Sequence, residues 1–122
     1  MAHFEQVTPH WNVTPSGSFM GLVAVIEIND VEQRSDLLEV GAFCGTECRG
    51  SALATYSAEK DRFMVSFLIF GGNGDELIFK LYDHRIGQEL DLDSPSMNFN
   101  SGSIAGSNDN PYVLDFYCAQ EF

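Results

Sequence analysis

The feature of this sequence that most restricts its fold is its period. The stretch "MGLVAVIEI" (20–28) sets Met20, Leu22, Ala24, Ile26 and Ile28 on one side of an extended chain and is rich in β-branched residues. In "ELIFKLYD" (76–83), Leu77, Phe79 and Leu81 alternate with Glu76, Lys80 and Tyr82. The run "RFMVSFLIF" (62–70) is almost continuously apolar, the pattern of a central strand covered on both faces. No stretch holds a 3.6-residue apolar repeat with helix caps. Clusters of turn residues punctuate these runs: Asn29-Asp30, 57–61, "GGNGD" (71–75), "DHRIG" (83–87) and Ser94-Pro95. About eight or nine short strands at this spacing predict an all-β fold, an antiparallel β-sandwich of immunoglobulin-like or jelly-roll type.

A chain of 122 residues forms one domain and buries about two-thirds of its unfolded surface without help from metal or disulfides. The expectation is a single module over 1–122, cut from a larger protein and flanked there by covalent neighbour domains. No apolar run approaches the ~20 residues of a membrane span, and "MAHFEQV" (1–7) lacks the basic and apolar regions of a signal peptide. With 18 acidic and 6 basic residues, the net charge of −12 repels phosphate backbones and anionic lipid. Nucleic acid and membrane insertion are therefore not expected. Neutral glycans, cations and basic protein surfaces remain as partners, and the charge equally serves to keep an exposed module soluble.

The stretch "VGAFCGTECRG" (40–50) offers three readings: metal clip, redox motif or stapled turn. Zinc needs about four ligands, and Cys-x3-Cys supplies two while His3, His10 and His84 are scattered. Thioredoxin-type chemistry needs Cys-x-x-Cys at a helix start. The turn reading pairs 37–44 with 48–56 around Gly45-Thr46-Glu47, so that Cys44 faces Cys48, Ala42 faces Gly50 and Val40 faces Ala52. Directly opposed, the cysteines would lie about 4.5 Å apart at Cα, close enough for a strained bridge. On the other face Phe43 would meet Arg49 in a cation-π contact. Cys44, Cys48 and Arg49 are thereby assigned to the scaffold, with Cys118 either a free thiol or a competing partner.

Binding residues are sought among aromatics for sugar stacking and polar groups for hydroxyls. Trp11, in the proline-flanked "PHWNVTP" (9–15), is either a platform or a core residue; Tyr82 and Tyr112 sit beside turns and are the better exposed rings. Asn108 and Asn110 lie in the polar loop "NSGSIAGSNDNP" (100–111). Calcium is the candidate metal: Glu89, Asp91 and Asp93 share one side of a strand, and Asp109 adds a hard oxygen donor, though without EF-hand spacing. There is no nucleophile elbow, Walker loop or His-Glu-x-x-His, so no catalytic residue is assigned.

Three segments, "LEVGAFCGTECRG" (38–50), "GNGDELIFKLYD" (72–83) and "IAGSNDNPYVLDF" (104–116), with Trp11 and Met20 ahead of them, resemble a module repeated in secreted, multi-domain surface proteins of bacteria. The likeness follows a "GAFVGDECRG"-like core, a "GDxIxFKLYD"-like strand and a late Gly-Ser before proline, in the same order over nearly the whole chain. Cys44 departs from it, since that position is often Val. The resemblance implies an extracellular or cell-surface β-sandwich accessory domain that accompanies glycan-active or adhesive partners, with no catalytic residues to carry over. The leading expectation is a non-catalytic carbohydrate-binding module; the alternative is a structural or adhesive spacer that contacts protein.

Overall fold

Alternation in 20–28 sets the frame of the molecule, because it makes the longest strand, β1 (Ser18–Ile28), two-faced. In the computed structural model, which describes residues 8–13, 15 and 17–118, ten further strands follow. The stretch 1–7 considered for targeting and the closing 119–122 lie outside the described residues. β2 (Val31–Glu32) returns on β1 through Asn29 and Asp30, both at positive φ, as in a type I′ hairpin turn. Then come β3 (Leu38–Cys44), β4 (Glu47–Leu53), β5 (Thr55–Ser57), β6 (Arg62–Gly71) and β7 (Glu76–Asp83). Short β8 (Gln88–Glu89), β9 (Ser96–Asn98) and β10 (Ile104–Ala105) precede β11 (Tyr112–Phe116).

These elements form two sheets. In the first, β1 lies between β6 on one side and β10 and β11 on the other, with β5 extending β6. In the second, β3 lies between β4 and β7, and β7 carries β8 and β9 on its far edge. The fold is the all-β sandwich expected. It departs from a wholly antiparallel arrangement at one place, where β10 and β11 run parallel to β1.

Inward positions of both sheets make one core. Met20, Leu22, Ala24 and Ile26 of β1 share this core with Leu38, Val40 and Ala42 of β3, joined by Phe79 and Leu81 of β7 beside β3 and by Leu114 and Phe116 of β11 beside β1. Full burial of such a side chain contributes about 1.5–3 kcal/mol. Along one edge β4 presses against β6: a Cβ on Gly50 would stand 2.4 Å from the Leu68 carbonyl oxygen. The chain then crosses from the second sheet to the first at Ala54. At the opposite edge Asp93 and Tyr117 exchange backbone hydrogen bonds, so 90–93 straps the two sheets together.

One strand is covered less than its sequence suggests. In β6, Val65 and Ile69 enter the core, but the outward Ser66 and Leu68 are exposed. An apolar run shows that a strand is central in its sheet; whether anything covers the outer face is decided elsewhere in the chain.

Candidate functional site

The two outer faces of the sandwich differ. On β3, Leu38, Val40 and Ala42 point inward, yet Glu39, Gly41 and Phe43, which point outward, are buried as well. The segment His10-Trp11 covers them. Gly41 makes room for this cover, because a Cβ there would lie 2.7 Å from the Phe43 ring and 2.8 Å from the Trp11 ring. Trp11 meets Phe43 edge-on at 5.2 Å between centroids and Tyr82 at 6.2 Å. The His10 imidazole stacks on Tyr82 at 3.7 Å, and His84 approaches the same ring edge-on.

Beneath these rings the Glu39 carboxylate is fully buried, with relative exposure of 0%. Its Oε1 accepts from the His10 amide and from His84 Nε2, each at 2.8 Å, and its Oε2 accepts from the Trp11 amide at 3.2 Å. A buried carboxylate is tolerable only with such donors. The Glu39–His84 pair has the composition of an acid-base dyad, but the protein's own backbone occupies both carboxylate oxygens. The structure therefore brings Trp11 and Tyr82 together, as sequence did not foresee, and leaves both rings half-buried. Sequence reasoning missed Glu39 and His84. The available signal was an acid inside "LLEVGAF", a run apolar on both faces.

The cysteine hairpin keeps the expected register at Val40↔Ala52 and Ala42↔Gly50, then slips: Phe43 pairs with Cys48 and Cys44 with Glu47. Arg49 is the extra residue of a β-bulge, and the loop shrinks to Gly45-Thr46, with positive φ at Gly45 as in a type II′ turn. Cys44 and Cys48 are thus out of register with each other, and both are free thiols, as is Cys118. Burial pushes the Cys48 thiol pKa up. The bulge also turns Arg49 away from Phe43, whose ring is met instead by the Lys80 ammonium at 4.6 Å. Arg49 donates to Glu47, to Asp75 at 3.0 Å and to the Phe70 carbonyl, linking β4 to the neighbouring sheet. Asp75 also accepts from the Gly72 amide, and this bond and the Arg49 bond hold its carboxyl below the ordinary carboxylate range.

The candidate polar residues separate. Tyr112 begins β11 and packs half-buried against the core rather than standing exposed. Asn108, Asp109 and Asn110 sit in the loop 106–111, which interrupts the edge strand between β10 and β11 and is closed by Ser107 and Asn110 hydrogen bonds. Asp109 pairs with Lys60, in the turn between β5 and β6; this contact lowers the Asp109 pKa. The loop thus crosses the outer face of the first sheet, where the outward Val25 and Met64 are buried. Glu89 lies in β8 opposite Tyr82, but the strand ends there. Asp91 lines a cleft of about 410 Å³ with Lys80, Glu89 and Ser94 over Leu81, Leu90 and Phe116, while Asp93 is held by backbone bonds to Tyr117. Glu89, Asp91, Asp93 and Asp109 are not gathered around one point. Among the described residues, the carboxylates that do converge are Glu27, Asp30 and Asp115, with oxygens within 4.8 Å of one another. Tyr117 donates to Asp30 at 2.8 Å, and burial followed by the Asp115 charge raises the Glu27 pKa.

The remaining outer surface, on β1, β6 and β10, is bare. Gly21 lies between Leu68 on one neighbouring strand and Ile104 on the other, so its missing side chain makes the floor of a trough. Phe19 stands at one end, Val23 and Ser66 at the other, and the space measures about 490 Å³. Exposure of Phe19 (53%), Leu68 (48%) and Ile104 (72%) shows that nothing in the described chain covers it. No family model matches this sequence, and neither a curated protein nor a solved structure matches it.

Proposed function

We propose that this chain is a non-catalytic interaction module of an extracellular bacterial protein, an adhesive or spacer domain that contacts other proteins through the outer face of its first sheet. The observation that carries this reading is the bare apolar trough at Gly21, set against Trp11 and Tyr82, the expected sugar platforms, which are half-buried against Phe43 and His10. Sugar recognition in a β-sandwich needs ring faces open to solvent with polar groups around them. Here Tyr82 stacks on His10 and Trp11 packs edge-on against Phe43, both half-buried, and the trough is lined by Phe19, Phe67 and aliphatic side chains together with Ser66 and Ser103. Exposed apolar surface of this kind is characteristic of protein-contact sites. The resemblance to repeated bacterial surface modules supports the extracellular setting.

Carbohydrate binding is the second reading, favoured by the cleft under 89–94, where Lys80, Glu89, Asp91 and Ser94 surround an apolar floor. Native affinity electrophoresis through plant and mucin polysaccharides, with calcium and with a chelator, separates the two. Free migration in every gel, together with retention on a panel of immobilised extracellular proteins that Leu68→Glu abolishes, is the expected result. Retardation that Asp91→Asn removes would replace the interaction reading with the glycan one.

A further inference from the structure

The Lys and Arg side chains are all in use. Arg34, Arg49, Lys60, Arg62, Lys80 and Arg85 each lie within 4.0 Å of a carboxylate, with Lys80–Glu89 the longest contact at 3.9 Å. These six are the whole Lys and Arg content of a chain with net charge −12, so the uncompensated charge on its surface is negative.

Part of that charge lies on the same face as the trough. Outward positions of β1 run Phe19, Gly21, Val23, Val25, Glu27. Glu27 pairs with Asp115 on β11 and with Glu32 on β2. Glu32 is matched by Arg62 through two hydrogen bonds, but Glu27, Asp30 and Asp115 have no Lys or Arg among their ion pairs. Six residues of strand place this acidic end about 20 Å from the trough, past the loop 106–111.

The trough by itself is too small for a stable contact. Specific interfaces cover about 800 Å² on each partner, a patch wide enough to include both ends of this face. The strands bearing Leu68 and Ile104 each lie about 4.8 Å from β1, which leaves room for one row of side chains. A second copy of this chain is a poor occupant, because it brings the same carboxylates and no unpaired Lys or Arg.

Building on the interaction reading, we propose that the outer face of the first sheet docks a basic segment of another protein, one row of apolar side chains seated on Gly21 between Leu68 and Ile104 and a Lys or Arg reaching Glu27 and Asp115. Apolar contact supplies the anchor. The charges select the partner and speed its approach.

A phage-displayed library of random dodecapeptides, each able to span about 40 Å when extended, tests this directly. Panned on the wild-type chain, it is expected to enrich peptides that combine neighbouring or alternate apolar residues with Lys or Arg. Synthetic copies should lose at least about tenfold in affinity with Leu68→Glu or Ile104→Glu. Several-fold should be lost with Glu27→Gln plus Asp115→Asn, or in 0.5 M salt, at about the ionic strength where exposed charges are screened. Ile78→Ser on the other sheet is the control and should leave binding unchanged. Because Leu68 and Ile104 are both exposed, each variant checks the other against misfolding by its melting temperature. Enriched peptides that are neutral or acidic, yet still lost with Leu68→Glu, would overturn the basic partner while sparing the interaction reading. Binding indifferent to both trough variants would overturn the two together. Dimerisation of the wild type that Leu68→Glu abolishes would make a second copy the occupant.

Discussion

The two outer faces of this sandwich start from the same material and end differently. Both present apolar side chains beside a glycine in the central strand, Gly41 in β3 and Gly21 in β1. Over Gly41 the chain lays its own Trp11 and ties the segment down through Glu39, whereas none of the described residues closes the trough over Gly21. Internal closure needed a polar pin as well as rings, because two backbone amides had to find acceptors under the cover. The open face has no such pin. Its loop 106–111 is tied to Lys60 through Asp109, Val25 and Met64 are buried, and the trough residues Phe19, Leu68 and Ile104 stay exposed.

The covered face is most vulnerable at Glu39. Glu39→Ala leaves two amides and His84 without their acceptor and is expected to destabilise by about 3–5 kcal/mol in urea titrations. The lone Trp11 should report the loss as a red-shifted, solvent-exposed emission even where the fold survives. Gly41→Ala comes next, since its Cβ would collide with the Trp11 and Phe43 rings; about 1–3 kcal/mol is expected, with the same spectral shift.

Acid titration should separate the two sheets further. Arg85, through paired hydrogen bonds, holds the Asp83 carboxyl below its ordinary range. That stability is present above the unfolded carboxylate value of about 3.9 and is lost as pH falls through the lower folded value. Asp83→Asn should therefore cost about 1 kcal/mol at pH 7 and nothing at the acid end of a pH series of thermal melts. Glu27 runs the other way. Its raised pKa means that its ionised form disfavours folding, so its stability is present at acid pH and lost as pH rises through that raised value. Glu27→Gln should stabilise by about 0.5 kcal/mol at pH 7 and be neutral near pH 3. The smallest effect belongs to the trough: Leu68→Glu should change stability by no more than about 0.5 kcal/mol. A larger loss would mean that this face is closed in solution.

Alternation made the strands legible because it is a local property. Met20, Leu22, Ala24 and Ile26 lie in the core as their spacing requires, and the hairpin register holds from Val40 to Ala42. It fails at Arg49, where a bulge answers to contacts with Asp75 and Phe70 on elements more than twenty residues away. Cover over a sheet face is equally non-local. Trp11 and Tyr82 could be named as rings that matter, but their meeting depends on Glu39 receiving a segment twenty-eight residues upstream. Glu89, Asp91 and Asp93 looked aligned only while 89–93 was taken as one strand. In the structure β8 ends at Glu89, and the next residues leave to tie the sheets together.

The parallel pairing of β1 with β11 also decides how the module responds to force. Tension applied between the start of β1 and the end of β11 acts along the strands, at opposite ends of the sheet, and shears five register pairs at once instead of unzipping them singly. Pulling from further upstream would first peel His10 and Trp11 from Glu39. Stretched in that way, the domain would yield in two stages, a soft release of its cover followed by a stiff ladder.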